Sequence, residues 1–160
     1  MSHEQSDRSM TIRKAKAEEA EIIAAITDAA YAKYIERMGR KPRPMTEDYH
    51  QIVTQHPVWL LSVGDRPVGV LVLVPEAEAM LIYSVALEPA YQKQGLGRRL
   101  LQLAEDEARR AGLDRMRLYT NEHMVENIAL YQRLGYLETG REPVGGSELV
   151  HMAKVLGKDR

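Results

Sequence analysis

Residues 88–112 read EPAYQKQGLGRRLLQLAEDEARRAG, and the interpretation of this stretch decides which fold is predicted. Two glycines, Gly95 and Gly97, lie one residue apart in a basic, glutamine-rich turn. An apolar run, MLIYSVAL at residues 80–87, precedes the turn, and a helical pattern follows it directly. The first amides of a helix have no internal acceptor and carry the positive end of the helix dipole. The stretch therefore predicts either a plain helix start or a cradle for a phosphate-bearing ligand.

The helix after the turn has one apolar face. Apolar residues recur there at helical spacing: Leu96, Leu100, Ala104 and Ala108, with Leu101 and Leu103 beside them. The opposite face is charged and carries Glu105, Asp106, Arg109 and Arg110. Gly112 is well placed to end the helix. We therefore expect this helix to pack one side against a sheet.

The remaining apolar and turn patterns predict a mixed α/β fold. Strands are expected at residues 10–15, 58–63, 68–74, 80–87, 115–120, 136–143 and 148–156. Helices are expected at 16–37, at 46–55 with Thr46 as N-cap, after the glycine turn, and at 125–134 ending at Gly135. The order β-α-α-β-β-β-α-β-α-β-β predicts an antiparallel first half followed by a parallel strand–helix–strand unit.

Composition limits the classes of function. The chain has 160 residues, which predicts a single domain over 1–160 with 1–9 as a disordered tail. A net charge of −1 gives no overall field for nucleic acid or an anionic membrane. The absence of cysteine excludes disulfides and thiolate chemistry. With no apolar run near the roughly 18–20 residues of a membrane span, we expect a cytoplasmic protein.

Two well-known phosphate motifs do not explain the glycine turn. A P-loop requires G-x-x-x-x-G-K-[ST], which the sequence lacks. A dinucleotide fingerprint requires a third glycine where Leu100 stands. The physical elements of an anion site nevertheless remain, because Lys93, Arg98 and Arg99 add positive charge to the helix start. Spacing alone leaves a pyrophosphate cradle and a solvated helix start as equal alternatives.

Two motifs in sequence resemble the GCN5-related N-acetyltransferase (GNAT) family. The segment QKQGLG at residues 92–97 matches the family's [QR]-x-x-G-x-[GA] acetyl-CoA signature. Downstream, NIALYQRLGY resembles the pattern N-x-x-A-x-x-Y-x-x-x-G-[FY], with one residue of altered spacing. The resemblance spans about residues 58–156. It implies an acyl-CoA N-acyltransferase fold, with a central mixed sheet of about seven strands flanked by about four helices, and acetyl-CoA as co-substrate.

The resemblance also implies roles for particular residues. Tyr131 is the implied general acid, which protonates the leaving thiolate. The implied cofactor-binding residues are Val85, Ala86 and Leu87 on the fourth strand, Gln92, Lys93, Gln94, Gly95, Leu96, Gly97 and Arg98 in the turn, and Asn127. For Asn127 a polar helix-start residue is an equal alternative. A helical tyrosine such as Tyr131 more often packs in a core, and only its place in the motif favours catalysis.

The general base and the acceptor site are less well defined. Glu122, Tyr83 and a water chain are alternative routes for the amine proton. In this family the first helices usually cover the acceptor, so we expect Tyr31, Tyr34, Glu36 and Arg37 near it. The basic run Arg40, Lys41, Arg43 could meet an acidic substrate, although a solvated loop is the ordinary interpretation of such a run.

The functional prediction has one principal form and one alternative. We expect an acetyl-CoA-dependent N-acetyltransferase that acts on a primary amine of a small molecule or peptide by direct attack on the thioester. The alternative is a CoA- or acyl-CoA-binding regulatory module without turnover. Neither a metal nor a nucleic-acid or membrane partner is expected, and homodimerisation is left open.

Overall fold

One seven-stranded sheet runs through residues 9–157, which are the residues that the computed structural model describes. Its strands are β1 (Met10–Lys14), β2 (Val58–Val63), β3 (Arg66–Pro75), β4 (Met80–Leu87), β5 (Arg115–Asn121), β6 (Leu137–Val144) and β7 (Ser147–Val155). Their order in the sheet is β1-β2-β3-β4-β5-β7-β6. Only β4 and β5 are parallel, and all other neighbours are antiparallel. The predicted mixed sheet is confirmed, whereas the tail predicted at 1–9 lies outside the described residues apart from Ser9.

Five α-helices flank this sheet in the described part of the chain. They are α1 (Ala20–Tyr31), α2 (Tyr34–Met38), α3 (Tyr49–Gln55), α4 (Leu96–Arg110) and α5 (Val125–Arg133). Short 3-10 turns occupy Ala17–Glu19, Arg43–Thr46 and Pro89–Tyr91. The strand–helix–strand unit β4–α4–β5 is parallel, as its sequence predicts.

The single helix predicted over 16–37 is divided into a 3-10 turn, α1 and α2. After Tyr31, the amide of Ile35 bonds to the carbonyl of Ala32 at 3.2 Å, which is a 3-10 rather than an α-helical bond. Residues three apart lie over one another in 3-10 geometry. Tyr31 and Tyr34 are both buried, with ring centroids 5.9 Å apart. The tighter turn thus directs both rings into the core.

The N-cap of α3 is Asp48 and not Thr46, which corrects the sequence prediction. Asp48 Oδ1 accepts hydrogen bonds from the amides of His50 at 3.0 Å and Gln51 at 3.4 Å. The Thr46 hydroxyl instead donates backwards to the carbonyl of Arg43 at 2.7 Å. Thr46 therefore closes the preceding 3-10 turn, and α3 starts two residues later than a Thr46 cap would allow.

The sheet has a packed core on each face because side chains alternate along its strands. On one face Leu61, Leu71 and Leu73 pack with Leu100 and Leu101 of α4. On the other face Leu60, Val70 and Val72 pack with Ile23, Ile26 and Tyr31 of α1 and with Ile52 of α3. Burial of each such side chain contributes about 1.5–3 kcal/mol. The apolar runs of β2 and β3 are therefore buried on both sides.

The charged face predicted for α4 is interrupted by Glu105, which is only 7% exposed. Its Oε2 accepts hydrogen bonds from Lys154 Nζ at 2.8 Å and from the Tyr136 hydroxyl at 3.3 Å. A buried carboxylate requires such partners. Both partners come from distant parts of the chain, so helical periodicity did not reveal the burial of Glu105.

Among residues 9–157, none of the helices has both the length and the apolar character that crossing a membrane requires.

Candidate active site

The sheet opens between its two parallel strands. β4 pairs with β5 only at Met80 and Leu81, although it continues to Leu87. Beyond this point the edge of β4 that faces β5 has no strand partner.

Along this open edge, side chains donate some of the hydrogen bonds that a neighbouring strand would otherwise donate to the carbonyls of β4. The Tyr31 hydroxyl donates to the carbonyl of Val85 at 2.8 Å, and Arg43 Nη2 donates to the carbonyl of Tyr83 at 2.7 Å. Gln92 Nε2 donates to the carbonyl of Leu87 at 2.9 Å. The carbonyls of alternate β4 residues thus face the split. Ala86 lies between them and pairs with Val70 of β3 on the opposite edge.

The glycine turn follows β4 directly and exposes backbone donors. Gly95 is the N-cap of α4 with φ +85°, a conformation that glycine adopts without a Cβ penalty. Lys93 is the one non-glycine residue with positive φ in the described chain, at 64°. The amides of residues 93–95 bond to no acceptor in residues 9–157. The next three amides, of Leu96, Gly97 and Arg98, begin α4 and have no acceptor within the helix.

The polar side chains of this turn have two different functions. Gln92 and Gln94 hold the loop: Gln94 Nε2 donates to the carbonyl of Ala90 at 3.1 Å, and Gln92 binds Leu87 as described above. Lys93 and Arg98 are exposed to solvent. A run of unpaired amides with exposed cations fits a pyrophosphate. The side-chain amides of the two glutamines thus bond to backbone carbonyls at the end of β4 and in the same turn and hold its shape.

Gly97 brings the start of α4 close to the split in the sheet. A Cβ at this position would lie 3.5 Å from side-chain atoms of both Leu87 and Leu130. These two side chains belong to the end of β4 and to α5. The turn, the open edge of β4 and α5 are therefore neighbours, as one elongated ligand would require.

A cavity of about 380 Å³ passes through the sheet at the split. Tyr31 and Tyr83 line it from the side of α1, and Leu118 and Tyr131 line it from the side of α4. Loop residues 38–44 and the β6–β7 hairpin border its outer end, where Arg40 donates hydrogen bonds to the carbonyls of Val144 and Gly145.

Tyr131 lies on the wall of this cavity and is 5% exposed. Its ring packs 5.9 Å from that of Tyr136, and its hydroxyl has no hydrogen-bond partner in residues 9–157. Burial, and then the neighbouring phenols of Tyr31 and Tyr136, raise the pKa of Tyr131 well above 10. The phenol therefore remains protonated at neutral pH, as a proton donor must. Gly135, with φ +98°, ends α5 just behind it.

Other residues predicted for the acceptor side have mixed positions. Tyr34 is 1% exposed and does not border the cavity. Its hydroxyl lies 3.5 Å from Glu126, which forms an ion pair with Arg37 at 2.6 Å. Glu36 is exposed and away from the cavity. Arg37 and Tyr34 thus fasten α2 to α5, and Glu36 makes no contact that the structure links to the site.

Glu122 and Asn127 also lie outside the cavity wall. Glu122 Oε2 accepts a hydrogen bond from the amide of Glu148 at 2.8 Å, which fixes the loop after β5 to β7. Asn127 is the third residue of α5, half-buried, and has no side-chain hydrogen bond within the described residues. Among the sequence-predicted routes for the amine proton, Tyr83 is the side chain that the structure brings to the cavity.

Two polar groups at or next to the cavity, Glu47 and Ser84, were not among the residues predicted for the site, and Arg43 was predicted only as part of a basic run. Glu47 accepts a hydrogen bond of 2.6 Å from the Tyr83 hydroxyl and another of 2.9 Å from Arg43. The Arg43 guanidinium lies 4.1 Å from the centre of the Tyr83 ring. Ser84 Oγ is buried, borders the cavity and has no partner in residues 9–157. Glu47 follows the basic run Arg40, Lys41, Arg43 in the sequence, and no motif marked it as a site residue.

Comparison with known proteins relates this architecture to one family. The sequence model of the acetyltransferase (GNAT) family matches residues 17–136. A relative, the [ribosomal protein bS18]-alanine N-acetyltransferase of Escherichia coli, is 39% identical over 57 residues, which are 36% of this chain and 38% of the relative. The chain thus matches less than half the length of this curated relative.

Solved structures extend the likeness over nearly the whole chain. The crystal structure of the E. coli ribosomal-protein-S18-alanine N-acetyltransferase has a TM-score of 0.75 at 19% identity, covering 95% of this chain and 97% of the other. The PaiA N-acetyltransferase from Thermoplasma acidophilum, in complex with coenzyme A, also has a TM-score of 0.75, at 20% identity, covering 92% and 99%. These likenesses establish the fold. Because the family match extends from the turn before α1 to the loop before β6, the chain belongs to the acetyltransferase (GNAT) family.

Proposed function

We propose that this protein is an acetyl-CoA-dependent N-acetyltransferase, which acetylates a primary amine of a small molecule or peptide by direct attack on the thioester. The observation that supports this most strongly is that the glycine turn, the open edge of β4 and the cavity follow one another without a break. The cradle at residues 93–98 leads along the open edge of β4 into the cavity that Tyr131 borders. This arrangement would let one elongated ligand reach from the cradle to Tyr131.

Bound acetyl-CoA would supply an activated acetyl group as a thioester. The amides of residues 93–98 and the side chains of Lys93 and Arg98 would hold its pyrophosphate. The backbone of Val85 and Leu87 would hold its pantetheine arm as an added strand would be held, with Ala86 and Leu96 shaping the same wall. Asn127, the third residue of α5, is the remaining proposed contact.

Tyr131 is the proposed general acid. Its hydroxyl makes no bond to the described protein, so its proton is available to the sulfur that leaves. Burial raises the pKa of Tyr131 well above that of a free thiol, which is about 8.5, so the proton moves only as negative charge develops on sulfur. Tyr131 would therefore stay protonated until the C–S bond breaks, and its proton would then pass to the leaving sulfur.

The Tyr83–Glu47 pair is the proposed route for the amine proton. The Tyr83 hydroxyl already donates to Glu47 at 2.6 Å, so its oxygen lone pairs are free to accept a hydrogen bond from another donor. An ammonium proton would pass to the Tyr83 oxygen while the Tyr83 proton passes to Glu47. The neutral amine then has the lone pair that attack requires. Within the described chain, Glu47 is the carboxylate that a cavity-lining hydroxyl contacts directly.

We also propose that the protein is cytoplasmic and forms a homodimer. A chain without cysteine is compatible with a reducing compartment. The edge strand β6 is exposed along all eight of its residues and offers a surface for a second copy. Light scattering coupled to size-exclusion chromatography would measure the assembly directly.

Two measurements test the proposal against the alternative of a CoA-binding module without turnover. Thermal unfolding should shift upward with acetyl-CoA, since a ligand at a hundred times its Kd stabilises the native state by about 2.7 kcal/mol. ATP and NAD are the controls and should produce little shift. Release of CoA thiol across a panel of amines should then occur with at least one acceptor. A thermal shift without any turnover would support the module, and no shift would contradict both.

A further inference from the structure

The outer half of the cavity has an unbalanced positive charge. Three cationic side chains, Arg40, Lys41 and Arg43, line it from one loop. No Asp or Glu side chain lines it within the part of the chain that the structure describes. A whole-chain net charge of −1 therefore conceals a local excess of positive charge at this site.

The three cations are balanced to different degrees. Arg43 is paired with Glu47 at 2.9 Å, so its charge is compensated. Arg40 donates to the carbonyls of Val144 and Gly145, which are neutral acceptors and leave its charge in place. Lys41 forms no ion pair among residues 9–157 and is exposed. Two uncompensated charges therefore remain at the mouth of the cavity.

These charges do not belong to the phosphate cradle. The cavity meets β4 at residues 82–85, whereas the cradle follows the end of β4 at Leu87. The cradle has its own cations, Lys93 and Arg98. Arg40 and Lys41 are thus available to the acceptor.

The outer wall also carries apolar side chains. Met38 and Pro44 come from the loop at residues 38–44, and Val144 and Leu149 come from the β6–β7 hairpin, while Thr120 and Asn121 of β5 add polar groups to the lining. A volume of about 380 Å³ for the whole cavity accommodates a small molecule better than a folded substrate. The wall therefore suits an acceptor with an apolar body and an anionic end.

Resting on the proposed function, we propose that the acceptor is a small aminocarboxylate with an apolar side chain. Its anionic group binds Arg40 and Lys41, its apolar body packs on the wall, and its amine approaches the Tyr83 hydroxyl. Polyamines and basic peptides are disfavoured because like charges at close range in a partly desolvated site repel. A phosphonate in place of the carboxylate would satisfy the same cations.

Matched acceptors test this inference. Leucine and 3-methylbutylamine differ only by the carboxylate, the phosphonate analogue of leucine changes the kind of anion, and spermidine supplies a polycation. We expect kcat/KM for leucine to exceed that for 3-methylbutylamine by about tenfold or more, which one charge-assisted contact supplies. Preference for the phosphonate would identify a phosphate-like anion as the true group. Turnover of spermidine should be lowest.

Variants at the cations supply the second readout. Lys41→Gln with Arg40→Gln should reduce the ratio of leucine to 3-methylbutylamine towards one, while the thermal shift with acetyl-CoA stays unchanged. Lys16→Gln, an exposed lysine before α1, is the control and should leave the ratio unchanged.

The outcomes separate this inference from the proposed function. If acetyl-CoA gives no thermal shift, the proposed function fails and the inference falls with it. If acetyl-CoA binds and 3-methylbutylamine or spermidine is preferred, the inference alone is overturned. It is also overturned if acetyl-CoA binds and neither leucine nor its phosphonate is acetylated or raises the melting temperature further.

Discussion

Tyr83 of β4 and Glu47 of the loop before α3 are joined by a hydrogen bond of 2.6 Å between hydroxyl and carboxylate. Arg43 contacts both partners: its guanidinium lies over the Tyr83 ring and donates to Glu47. Burial, and then the bond to Glu47, raise the pKa of Tyr83. The phenol thus stays protonated and can pass protons only in concert with Glu47.

Tyr83→Phe should therefore impair removal of the amine proton. General-base catalysis contributes about 10²–10⁴-fold, and we expect a loss of kcat/KM near the lower end at pH 7. Above the pKa of the amine, solvent supplies neutral amine, so much of the loss should be recovered. Measurement of kcat/KM from pH 6 to 10 checks this. Glu47→Gln should behave similarly, and a pH-independent loss in both variants would contradict the relay.

The matched control for Glu47→Gln is Glu76→Gln. Glu76 also accepts a hydrogen bond from an arginine, Arg117 at 2.7 Å, but unlike Glu47 it bonds to no side chain that lines the cavity. Its replacement should leave the pH profile of kcat/KM unchanged.

Tyr131→Phe should retain acetyl-CoA binding and reduce kcat by about 10²-fold, the lower end for general-acid catalysis. The hydroxyl makes no hydrogen bond in the described chain, so its loss should leave stability nearly unchanged. Tyr136→Phe is the control, because its hydroxyl binds buried Glu105 at 3.3 Å. That variant should lose about 1 kcal/mol of stability and keep kcat. If the chemical step limits the rate and Tyr131→Phe has the same kcat as the wild type, Tyr131 has a packing role and no catalytic one.

Gly97→Glu should abolish stabilisation by acetyl-CoA. The new carboxylate would lie at the start of α4 and repel phosphates there. Gly97→Ala is the graded comparison: its Cβ would make ordinary contacts at 3.5 Å with Leu87 and Leu130, so the fold should persist. Gly140→Glu adds the same side chain on β6, where nothing lies within 4 Å of a Cβ, and should leave the thermal shift intact. An undiminished shift in folded Gly97→Glu would place the phosphates elsewhere.

Glu126→Gln should weaken stability at neutral pH and lose this effect in acid. The hydrogen bond from Arg37 lowers the pKa of Glu126 from 4.5 to about 2. A depressed folded-state pKa stabilises the protein above the unfolded value, and this contribution disappears as pH falls through the folded value. The side chain is 41% exposed, so we expect a difference of about 0.2–1 kcal/mol at pH 7 that shrinks between pH 4.5 and 2.

Urea unfolding at several pH values measures this difference. The control is Glu21→Gln, which removes the same charge from an exposed residue without an ion pair in the described chain. A Glu126→Gln difference that did not depend on pH would show that the ion pair with Arg37 is not its cause.

The parts of the fold that local chemistry dictates were predictable. β-Branched runs located the central strands, and Gly112 and Gly135 located the ends of two helices, because these signals act within a few residues. The N-cap at Asp48 was missed because Thr46 has the same local signature. Only the tertiary position of the 3-10 turn at Arg43–Thr46 decides between them.

The candidate site was predictable only where a linear motif marks it. The glycine turn and Tyr131 belong to such motifs, and the structure places both along one path. Glu47 is brought to Tyr83 across 36 positions by the packing of loop and sheet. No sequence motif or helical or strand periodicity predicts the contact between Glu47 and Tyr83. For the same reason the sequence could not show that Glu122, which follows a strand end, lies outside the cavity wall and bonds to the amide of Glu148.

The split after Leu81 also has a mechanical consequence. β4 is paired with β3 along its length but pairs with β5 only at Met80 and Leu81. The sheet therefore consists of two parts, β1-β2-β3-β4 and β5-β7-β6, which are joined by this short pairing. The amides of β4 beyond that pairing are open to hydrogen–deuterium exchange on the side of β5. A molecule that binds in the split would bridge the two parts of the sheet and protect these amides from exchange. Occupancy of the site and stiffness of the whole sheet would then rise together.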